Sequence, residues 1–420
     1  MTNWLIVSCV KYRADKLPFL VYMLSSDRLR SMIYTELKQS GFKFDRNAIV
    51  PPDLEDKSAL RKVHKPALEH LLAQNKKWIL ENENKFLEFF ADGDDIIPEE
   101  VSPKLVLIEG GDAENSGLFR YASYLWSVPL SQGFGRRLRY LVTDGNNGKL
   151  IGIIGLTDPV IGLKVRDQWI GWSKDQKEKA LWHIMDAYAF GAVQPYSYLL
   201  GGKLVATLAT SDEVREDFRK KYSHGRSVIT GRNYKSRKPY LVLVTTTGAY
   251  GRSSILDRLN TVDRQLWQEV GFTDGWGFFH LNNGIATEIY EYLKQQEDPI
   301  VKQNRFGQGP NWKMRLIRHG IQRLGIDYEK YGKHGVKRGF YAAPLARNFK
   351  EFLRGENKRP VFYRQSTKSL FEFFKTRYLL PRSLRNQEWK SFDHRRVRVS
   401  RAFESPGPSA SQLLSIANSL

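Results

Sequence analysis

Residues 191 to 222 read GAVQPYSYLLGGKLVATLATSDEVREDFRKKY, and the fold is decided in this stretch. A short apolar piece ends in Gly201-Gly202-Lys203, and apolar residues at helical spacing follow. We therefore predict that a strand or turn gives way to a helix at the glycines. Such a junction presents unpaired backbone N–H groups and the positive end of the helix dipole. Glycine permits close approach and Lys203 adds a cation, so the turn is a candidate phosphate-binding site; the alternative is a tight turn before a core helix.

The flanking segments predict an α/β protein with a central mixed sheet. Upstream, Leu138 to Leu156 reads as a β-hairpin, with GNNG at its turn. Downstream, Tyr240 to Thr246 reads as a buried strand, a helix is expected from Ile255, and Trp267 to His280 contains a further strand. This order of elements is similar to that of the GNAT acyltransferase fold. The resemblance implies that Gly201, Gly202 and Lys203 hold a cofactor pyrophosphate, although the identity of the cofactor stays unknown because the family's usual glycine motif is altered here.

Composition points to a polyanionic partner. The 420 residues carry 66 Lys and Arg against 45 Asp and Glu, a formal net charge of +21. We expect nucleic acid as the partner, DNA before RNA, and no membrane, because such a charge speaks to partners rather than to fold. The chain has one cysteine, which excludes an internal disulfide and a cysteine-based zinc site. We therefore expect a cytoplasmic protein.

Three regions are predicted along the chain. Residues 1–100 are expected to be mostly helical, 101–295 to form the GNAT-like α/β core, and 296–420 to be a basic, loop-rich region with a flexible tail. Within the first region, Ser26 to Gln39, Ser58 to Gln74 and Lys76 to Phe90 are predicted as helices. The acidic run at 92–95 lacks calcium-loop spacing, so it is interpreted as a loop and no metal site is predicted.

Candidate acid–base residues are Asp167, His183 and His280. His183 and Asp186 are three residues apart, and on the helix expected after Ser173 they would share a face. A carboxylate could then orient the imidazole for proton transfer. Packing roles for these histidines are the alternative interpretation.

Several cations and one aromatic residue are candidates for nucleic-acid contacts, since Arg and Lys bind phosphate oxygens and aromatic rings stack on unpaired bases. The alternative is exposed basic surface with no partner. These candidates are Arg120, Arg136, Arg137, Arg139, Arg166, Arg252, Arg305, Trp312 and Lys313.

Three runs together resemble the Druantia anti-phage defence protein DruA (DUF4338) family. They are LFRYASYLWSVPLSQGFGRRLRYLVTDGNNGKLIGIIGLTDPV from Leu118, RDQWIGWS from Arg166, and LLGGKLVATLATSDEV from Leu199. The similarity extends over roughly residues 25 to 355. It implies a prokaryotic protein of anti-phage defence or of a mobile element, with other proteins of that system as possible partners.

Three functions therefore stay open from the sequence. The first is a nucleic-acid-directed protein with a transferase-type core. The second is a DNA strand-processing enzyme that depends on a metal or on a nucleophilic side chain. The third is a non-catalytic DNA- or RNA-binding subunit of a defence complex.

Overall fold

A computed structural model describes residues 25–45, 48–50, 52, 56–130, 135–224, 238–249, 251–276, 283–304, 312–327, 329, 332 and 334–404. The helices are α1 (Ser26–Gln39), α2 (Lys57–Leu87), α3 (Ala113–Ser123), α4 (Lys164–Ile170), α5 (Lys174–Ala180), α6 (Gly201–Leu208), α7 (Asp212–Tyr222), α8 (Asn283–Gln295), α9 (Pro299–Asn304), α10 (Trp312–Arg323), α11 (Phe349–Leu353), α12 (Thr367–Phe374) and α13 (Leu380–Arg385). The strands are β1 (Lys43–Asp45), β2 (Ala48–Val50), β3 (Pro103–Leu107), β4 (Arg137–Asp144), β5 (Leu150–Thr157), β6 (Ile184–Ala192), β7 (Leu243–Thr247), β8 (Gln268–Phe272) and β9 (Gly339–Pro344).

Seven strands form one mixed sheet in the order β3-β4-β5-β6-β7-β9-β8. Within this described sheet, β6 and β7 run parallel and the other neighbouring pairs are antiparallel. The predicted α/β class with a mixed sheet is confirmed, as is the β4–β5 hairpin. β6 continues past the end of its pairing with β7, which covers Ile184↔Leu243 to Asp186↔Thr245.

Both faces of the sheet are covered, which explains why β5 is buried at every position. On one face, Val205 and Leu208 of α6 and Leu370 of α12 pack in one core with Ile154 and Leu156. On the other face, α2 and α3 cover Leu141 and Ile153. Farther along that second face, Ile170, Ala180 and Phe349, from α4, α5 and α11, cover Leu243 and Ala342. The second face therefore has two separate helical covers.

The described part of the N-terminal region contains the helices α1 and α2, and the prediction for the second needs a correction. α1 has the predicted bounds, and Ser25 caps it by accepting a hydrogen bond from the Arg28 N–H. The two helices predicted between 58 and 90 are instead one helix, α2, of 31 residues. Because residues 74–77 contain no glycine or proline, nothing interrupts the helix there.

The region around His183 was wrongly predicted as helix. α5 ends at Ala180, a 3₁₀ turn covers Leu181–His183, and Asp186 lies in strand β6. His183 and Asp186 therefore do not share a helix face. Pairing with β5 and β7 decides the conformation of this segment.

Two further segments differ from prediction. The residues after Ile255 form turns rather than a helix, and Leu256, Leu259 and Leu266 pack into the core. Beyond residue 295 the chain holds α9 and α10, and β9 inserts between β7 and β8. The sheet thus includes residues outside the proposed 101–295 core, because a strand distant in sequence completes it.

A second helical core lies apart from the sheet. Leu29 and Ile33 of α1, Ile289 of α8 and Leu316 of α10 pack in it, together with Val63 near the start of α2. Among the residues that the structure describes, no helix is long and apolar enough to cross a bilayer.

Candidate active site at the centre of the sheet

Four polar side chains lie side by side across the middle of the sheet. Arg137 of β4 is paired with Thr157 of β5, Thr157 with Asp186 of β6, and Asp186 with Thr245 of β7. Residues directly opposite each other on neighbouring strands point to the same face. The hydrogen bond from Thr245 Oγ1 to Asp186 Oδ1, 2.7 Å long, fits this arrangement.

Asp186 is the ionisable group at the centre of this row. Its side chain is half-buried. That burial raises the pKa of Asp186 to about 6, against the lowering effects of the Thr245 hydrogen bond and the charge of Arg166. A carboxyl with a pKa near 6 exchanges protons close to neutral pH, as a general base or acid must.

A β-bulge lies next to Asp186 on the same strand. In the β5–β6 pairing, Gly155 is opposite Ala189 and Leu156 is opposite Ala187, so Tyr188 is an extra, unpaired residue of β6. A Cβ atom at Gly155 would lie 2.6 Å from the Tyr188 ring, so the glycine makes room for the tyrosine on the face of the polar row. Bulges of this kind are common next to active sites, where they redirect a side chain.

The bulged tyrosine lies near two arginines. Burial raises the pKa of the Tyr188 phenol, while the charges of Arg139 and Arg137 oppose that increase. Tyr188 is therefore protonated at neutral pH and can donate a hydrogen bond. We call Arg137, Thr157, Asp186, Tyr188 and Thr245 the sheet-centre site.

The sheet-centre site lies where the two helical covers of this face meet. Along β6, Ile184 belongs to the core under α4 and α5, whereas Ala189 belongs to the core under α2 and α3. Asp186 lies between these two residues on the strand. A polar group at such a boundary can keep access to solvent within a sheet that is otherwise covered.

The predicted residue Asp167 lies close by, on α4, but it forms an ion-pair network within the protein. It accepts hydrogen bonds from Arg166 Nη2 at 2.7 Å and from Lys177 Nζ at 2.9 Å. Although burial acts to raise it, these contacts lower the pKa of Asp167. Asp167 is thus held as a carboxylate with its charge already balanced.

Arg166 is fully buried, and its guanidinium donates hydrogen bonds to other groups of the protein. Besides Asp167, it donates to the carbonyl oxygens of Val160 and Ile161, at 2.7 and 2.9 Å. Burial lowers the pKa of Arg166, although Asp167 and Asp186 oppose the change. Its geometry favours a role in holding the 160–161 loop and in balancing the charge of Asp186.

The predicted histidines are placed apart from Asp186 or fall outside the described residues. His183 Nδ1 lies 2.8 Å from the carbonyl oxygen of Tyr240, and its ring meets Phe352 edge-on with centroids 4.8 Å apart. These contacts favour a packing role for His183. His280 lies outside the described residues.

The predicted nucleic-acid contacts separate into buried and exposed cations. Arg136 is 5% exposed, pairs with Asp158 at 2.7 Å, and its guanidinium lies 4.0 Å from the Trp182 ring centroid. Arg120 is partly buried, bonded to Asn75 and placed over Trp78 at 3.9 Å. These two arginines therefore make internal packing contacts.

Other predicted cations are accessible. Arg137 is exposed, Arg139 is half-buried beside α3, and the exposed Arg252 forms an ion pair with Glu269 at 3.1 Å. Arg137 is thus the accessible predicted cation that belongs to the sheet-centre site. Arg305 lies outside the described residues; Trp312 and Lys313 begin α10, and their side chains also lie outside the description.

The glycine turn is where α6 begins, as predicted, and it is closely packed. A Cβ at Gly201 would lie 2.6 Å from the Tyr196 carbonyl oxygen, and one at Gly202 would lie 3.2 Å from Ile255. Lys203 Nζ donates to the carbonyl oxygen of Asp257 at 3.1 Å. The residues present therefore face other parts of the chain and fit an acyl-CoA pyrophosphate poorly. The cofactor-binding role of Gly201, Gly202 and Lys203 stays a prediction.

One group of acidic and histidine side chains in the described part of the chain is close enough to share a cation: Asp92, Asp393 and His394. Asp92 accepts from both the backbone N–H and the ring of His394, at 2.7 and 2.9 Å. Asp393 forms a short ion pair with Arg395. These bonds dock the C-terminal segment onto the 92–95 turn and account for the cluster without a metal.

In the sequence, Asp186 stands out only as a possible partner for His183, and its place in the polar row is not apparent. Its neighbours are set by the pairing of β6 with β5 and β7 and by a bulge, and neither can be read from a single sequence. A carboxylate and two threonines within otherwise apolar strands were the available signal.

Fold and site together define an α/β protein whose mixed sheet carries a half-buried carboxyl, Asp186, in one row with an exposed arginine, Arg137. Residues 54–355 match the family model described as Druantia protein DruA. The chain is also similar to the Druantia protein DruA of Escherichia coli (strain UMEA 4076-1), with 37% identity over 375 residues, 88% of this chain and 91% of that protein. The chain therefore belongs to the DruA family. No solved structure matches it.

Proposed function

We propose that this protein acts on nucleic acid in anti-phage defence, with the sheet-centre site as a transferase-type acid–base centre. The defence role rests on membership of the DruA family. We place the protein in the cytoplasm, where a chain with one cysteine needs no oxidising environment. Other proteins of the same defence system are its expected partners.

The observation that carries the acid–base proposal is the environment of Asp186. A half-buried carboxyl with a raised pKa, hydrogen-bonded by Thr245, lies one residue from a bulge in the middle of the sheet. Strongly perturbed carboxyls cluster at functional sites. Among the residues that the structure describes, Asp186 forms no ion pair like that of Asp167, and the charge of Arg166 offsets only part of the effect of burial, so the pKa of Asp186 is raised.

Proton transfer at this site follows from the two pKa shifts. At pH 7 most of the Asp186 population is ionised and can accept a proton from an attacking group. Tyr188 keeps its proton and can donate a hydrogen bond to a substrate oxygen. Thr245 fixes the orientation of the carboxylate, and Arg137 supplies positive charge for an anionic substrate.

The topology supports a GNAT-like core as part of this proposal. The sheet has a parallel pair at β6–β7, and β6 is followed by the glycine turn and α6, as the resemblance implies. Because the turn is packed against Ile255 and Asp257, no step of the proposed chemistry involves an acyl-CoA.

Nucleic acid is proposed as the substrate class because of the charge of +21 and the exposed Arg137 in the site. The test is binding of labelled single- and double-stranded DNA by the full chain while the salt concentration is varied. We expect affinity to fall steeply as salt rises, because each neutralised phosphate releases counterions. Salt-independent binding, or none, would contradict the proposal.

A second measurement separates an enzyme from a binding subunit. Asp186→Asn is expected to keep DNA affinity and to lose phage protection in cells that carry the intact native locus. If the variant protects as well as the wild type, the protein is better explained as a non-catalytic nucleic-acid-binding subunit.

A further inference from the structure

A groove of about 420 Å³ lies between α4 and β8, away from the residues of the sheet-centre site. β8 is an edge strand of the sheet. The groove is lined by Lys164, Gln168 and Trp169 of α4, by Val270 and Phe272 of β8, and by Asp274. Its volume is within the range of small-ligand sites, about 300–1,000 Å³.

The walls of the groove are held in place by packing. The Trp169 ring lies on Phe349, with centroids 5.2 Å apart, and Lys350 Nζ lies 4.6 Å from its centroid. On the opposite wall, a Cβ at Gly271 would lie 3.0 Å from Val165, so the glycine lets α4 approach the strand. Pairing of β8 with β9 shifts between Glu269 and Gly271, which leaves Val270 as a bulged residue. The groove is therefore a product of defined local geometry.

The exposed groups in the groove combine an aromatic ring with polar groups of three kinds. Phe272 is 38% exposed, although it is a large apolar residue on an edge strand. Lys164, Gln168 and Asp274 are also exposed. An aromatic face can stack on a base, an amide and a carboxylate can bind a base edge, and an ammonium can bind a phosphate.

We propose that this groove binds one unpaired nucleotide of a single-stranded nucleic acid, with its base stacked on Phe272. The proposal rests on the proposed function, since it takes nucleic acid as the ligand. Charge complementarity fixes the orientation: the phosphate lies toward Lys164, and the base edge lies toward Gln168 and Asp274, because a phosphate beside Asp274 would be repelled.

The same chemistry gives a base preference. A carboxylate accepts hydrogen bonds, and cytosine offers an exocyclic amino group as donor where thymine offers a carbonyl oxygen and a methyl group. The groove is therefore expected to prefer cytosine to thymine. α4 also carries Arg166, whose charge acts on the pKa of Asp186, so one helix contributes to both the groove and the sheet-centre site.

The test is fluorescence anisotropy of the full chain with labelled oligo-dC and oligo-dT of equal length. Phe272→Ala is expected to weaken oligo-dC binding about 5- to 150-fold, since stacking on an aromatic residue contributes about 1–3 kcal/mol per base. Phe272→Tyr is expected to restore it. Val361→Ala, which truncates another exposed apolar residue, is the matched control and should bind as the wild type does.

Two further variants test the orientation. Lys164→Ala is expected to reduce the slope of log affinity against log salt by about 1, whereas Lys179→Ala on the exposed face of α5 leaves it unchanged. Asp274→Asn is expected to narrow the difference between oligo-dC and oligo-dT, because an amide can donate as well as accept.

The outcomes distinguish this proposal from the function on which it rests. If the wild type binds DNA and Phe272→Ala binds it equally well, the groove proposal is overturned while the proposed function stands. If the wild type binds no nucleic acid, both fail. Weaker oligo-dC binding in Phe272→Ala, with recovery in Phe272→Tyr, supports the groove.

Discussion

Two polar regions lie on or just after strand β6, and in each the residue types suggest a different chemistry from the one that the surroundings indicate. The Gly201-Gly202-Lys203 turn follows the strand and has the composition of a phosphate-binding site, yet its atoms contact Tyr196, Ile255 and Asp257. Asp186 lies within the strand, where composition gave little signal, yet it is the carboxyl whose pKa burial raises to about 6. Residue types alone therefore favour the glycine turn as the functional site, whereas the surroundings of the two regions favour Asp186.

The contrast has a physical basis in what surrounds each group. Glycine is needed wherever backbones approach closely, whether the approaching group is a ligand or another part of the chain. At Gly201 the approaching group is the 196 carbonyl oxygen. A carboxylate becomes chemically useful when burial and neighbours shift its pKa, and at Asp186 both are set by strand pairing.

The largest expected effect is at Asp186. Asp186→Asn keeps the shape of the side chain and a hydrogen-bond acceptor for Thr245 but removes the proton-transfer group. We expect phage protection in cells with the intact native locus to fall about 100-fold or more, as for loss of a general base. The measurement is the efficiency of phage plating.

The matched control for that prediction is Asp175→Asn, which changes an exposed carboxyl on α5. Its plating efficiency should equal that of the wild type. Equal protection by wild type and Asp186→Asn would contradict an acid–base role for Asp186, and the two regions would then no longer differ in chemistry.

The second effect concerns stability at the glycine turn. Gly201→Ala would place a Cβ 2.6 Å from the Tyr196 carbonyl oxygen and 2.7 Å from the Ala192 Cβ. We expect the free energy of unfolding to fall by about 1–3 kcal/mol, as for an overpacked core. Urea denaturation measures it.

Gly162→Ala is the control for this glycine, because a Cβ there meets nothing within 4 Å. Its unfolding free energy should change by less than about 0.5 kcal/mol. An unchanged stability in Gly201→Ala would mean that a methyl group fits at this position. The turn would then have unfilled space, as expected of a turn that binds a ligand.

Features that depend on residues close together in the sequence could be predicted, whereas features that depend on strands distant in the sequence could not. The β4–β5 hairpin, α1 and the start of α6 depend on local patterns and are confirmed. The helix predicted through His183 failed because pairing with β5 and β7 overrides local spacing. Likewise β9 enters the sheet from beyond residue 330, and the row from Arg137 to Thr245 exists only once four strands are in register.

The third effect is a pH dependence of stability that comes from Asp186. Its pKa of about 6 in the folded chain exceeds the value near 4 of an unfolded aspartate, so between these values the folded state binds more protons. The contribution of Asp186 to the unfolding free energy therefore decreases as pH rises from about 4 to 6 and is constant above. Arg166 and Thr245, which contact or face the carboxyl, limit the size of this loss.

The measurement is the difference in unfolding free energy between Asp186→Asn and the wild type, followed by urea denaturation at several pH values. The difference cancels the titration of other carboxyls. We expect the asparagine variant to gain relative stability between pH 4 and 6. A difference that is flat across this range would show that the carboxyl is not perturbed, and the two regions would then be chemically alike.

The smallest effect is expected at Lys203, and it brings the comparison back to the turn. Lys203→Ala removes a partly buried ammonium and its hydrogen bond to the Asp257 carbonyl oxygen. The packing interpretation predicts a stability loss of about 1 kcal/mol or less and a DNA affinity equal to that of Lys179→Ala, an exposed lysine that controls for lost charge. The sequence alone predicts instead that Lys203→Ala weakens binding of a phosphate-bearing ligand. Titration of wild type and variant with acetyl-CoA and with DNA decides between them: saturable binding that disappears in a folded Lys203→Ala protein would return the turn to the ligand-binding role that its composition indicates, because a packing lysine has no reason to affect a ligand that it does not touch.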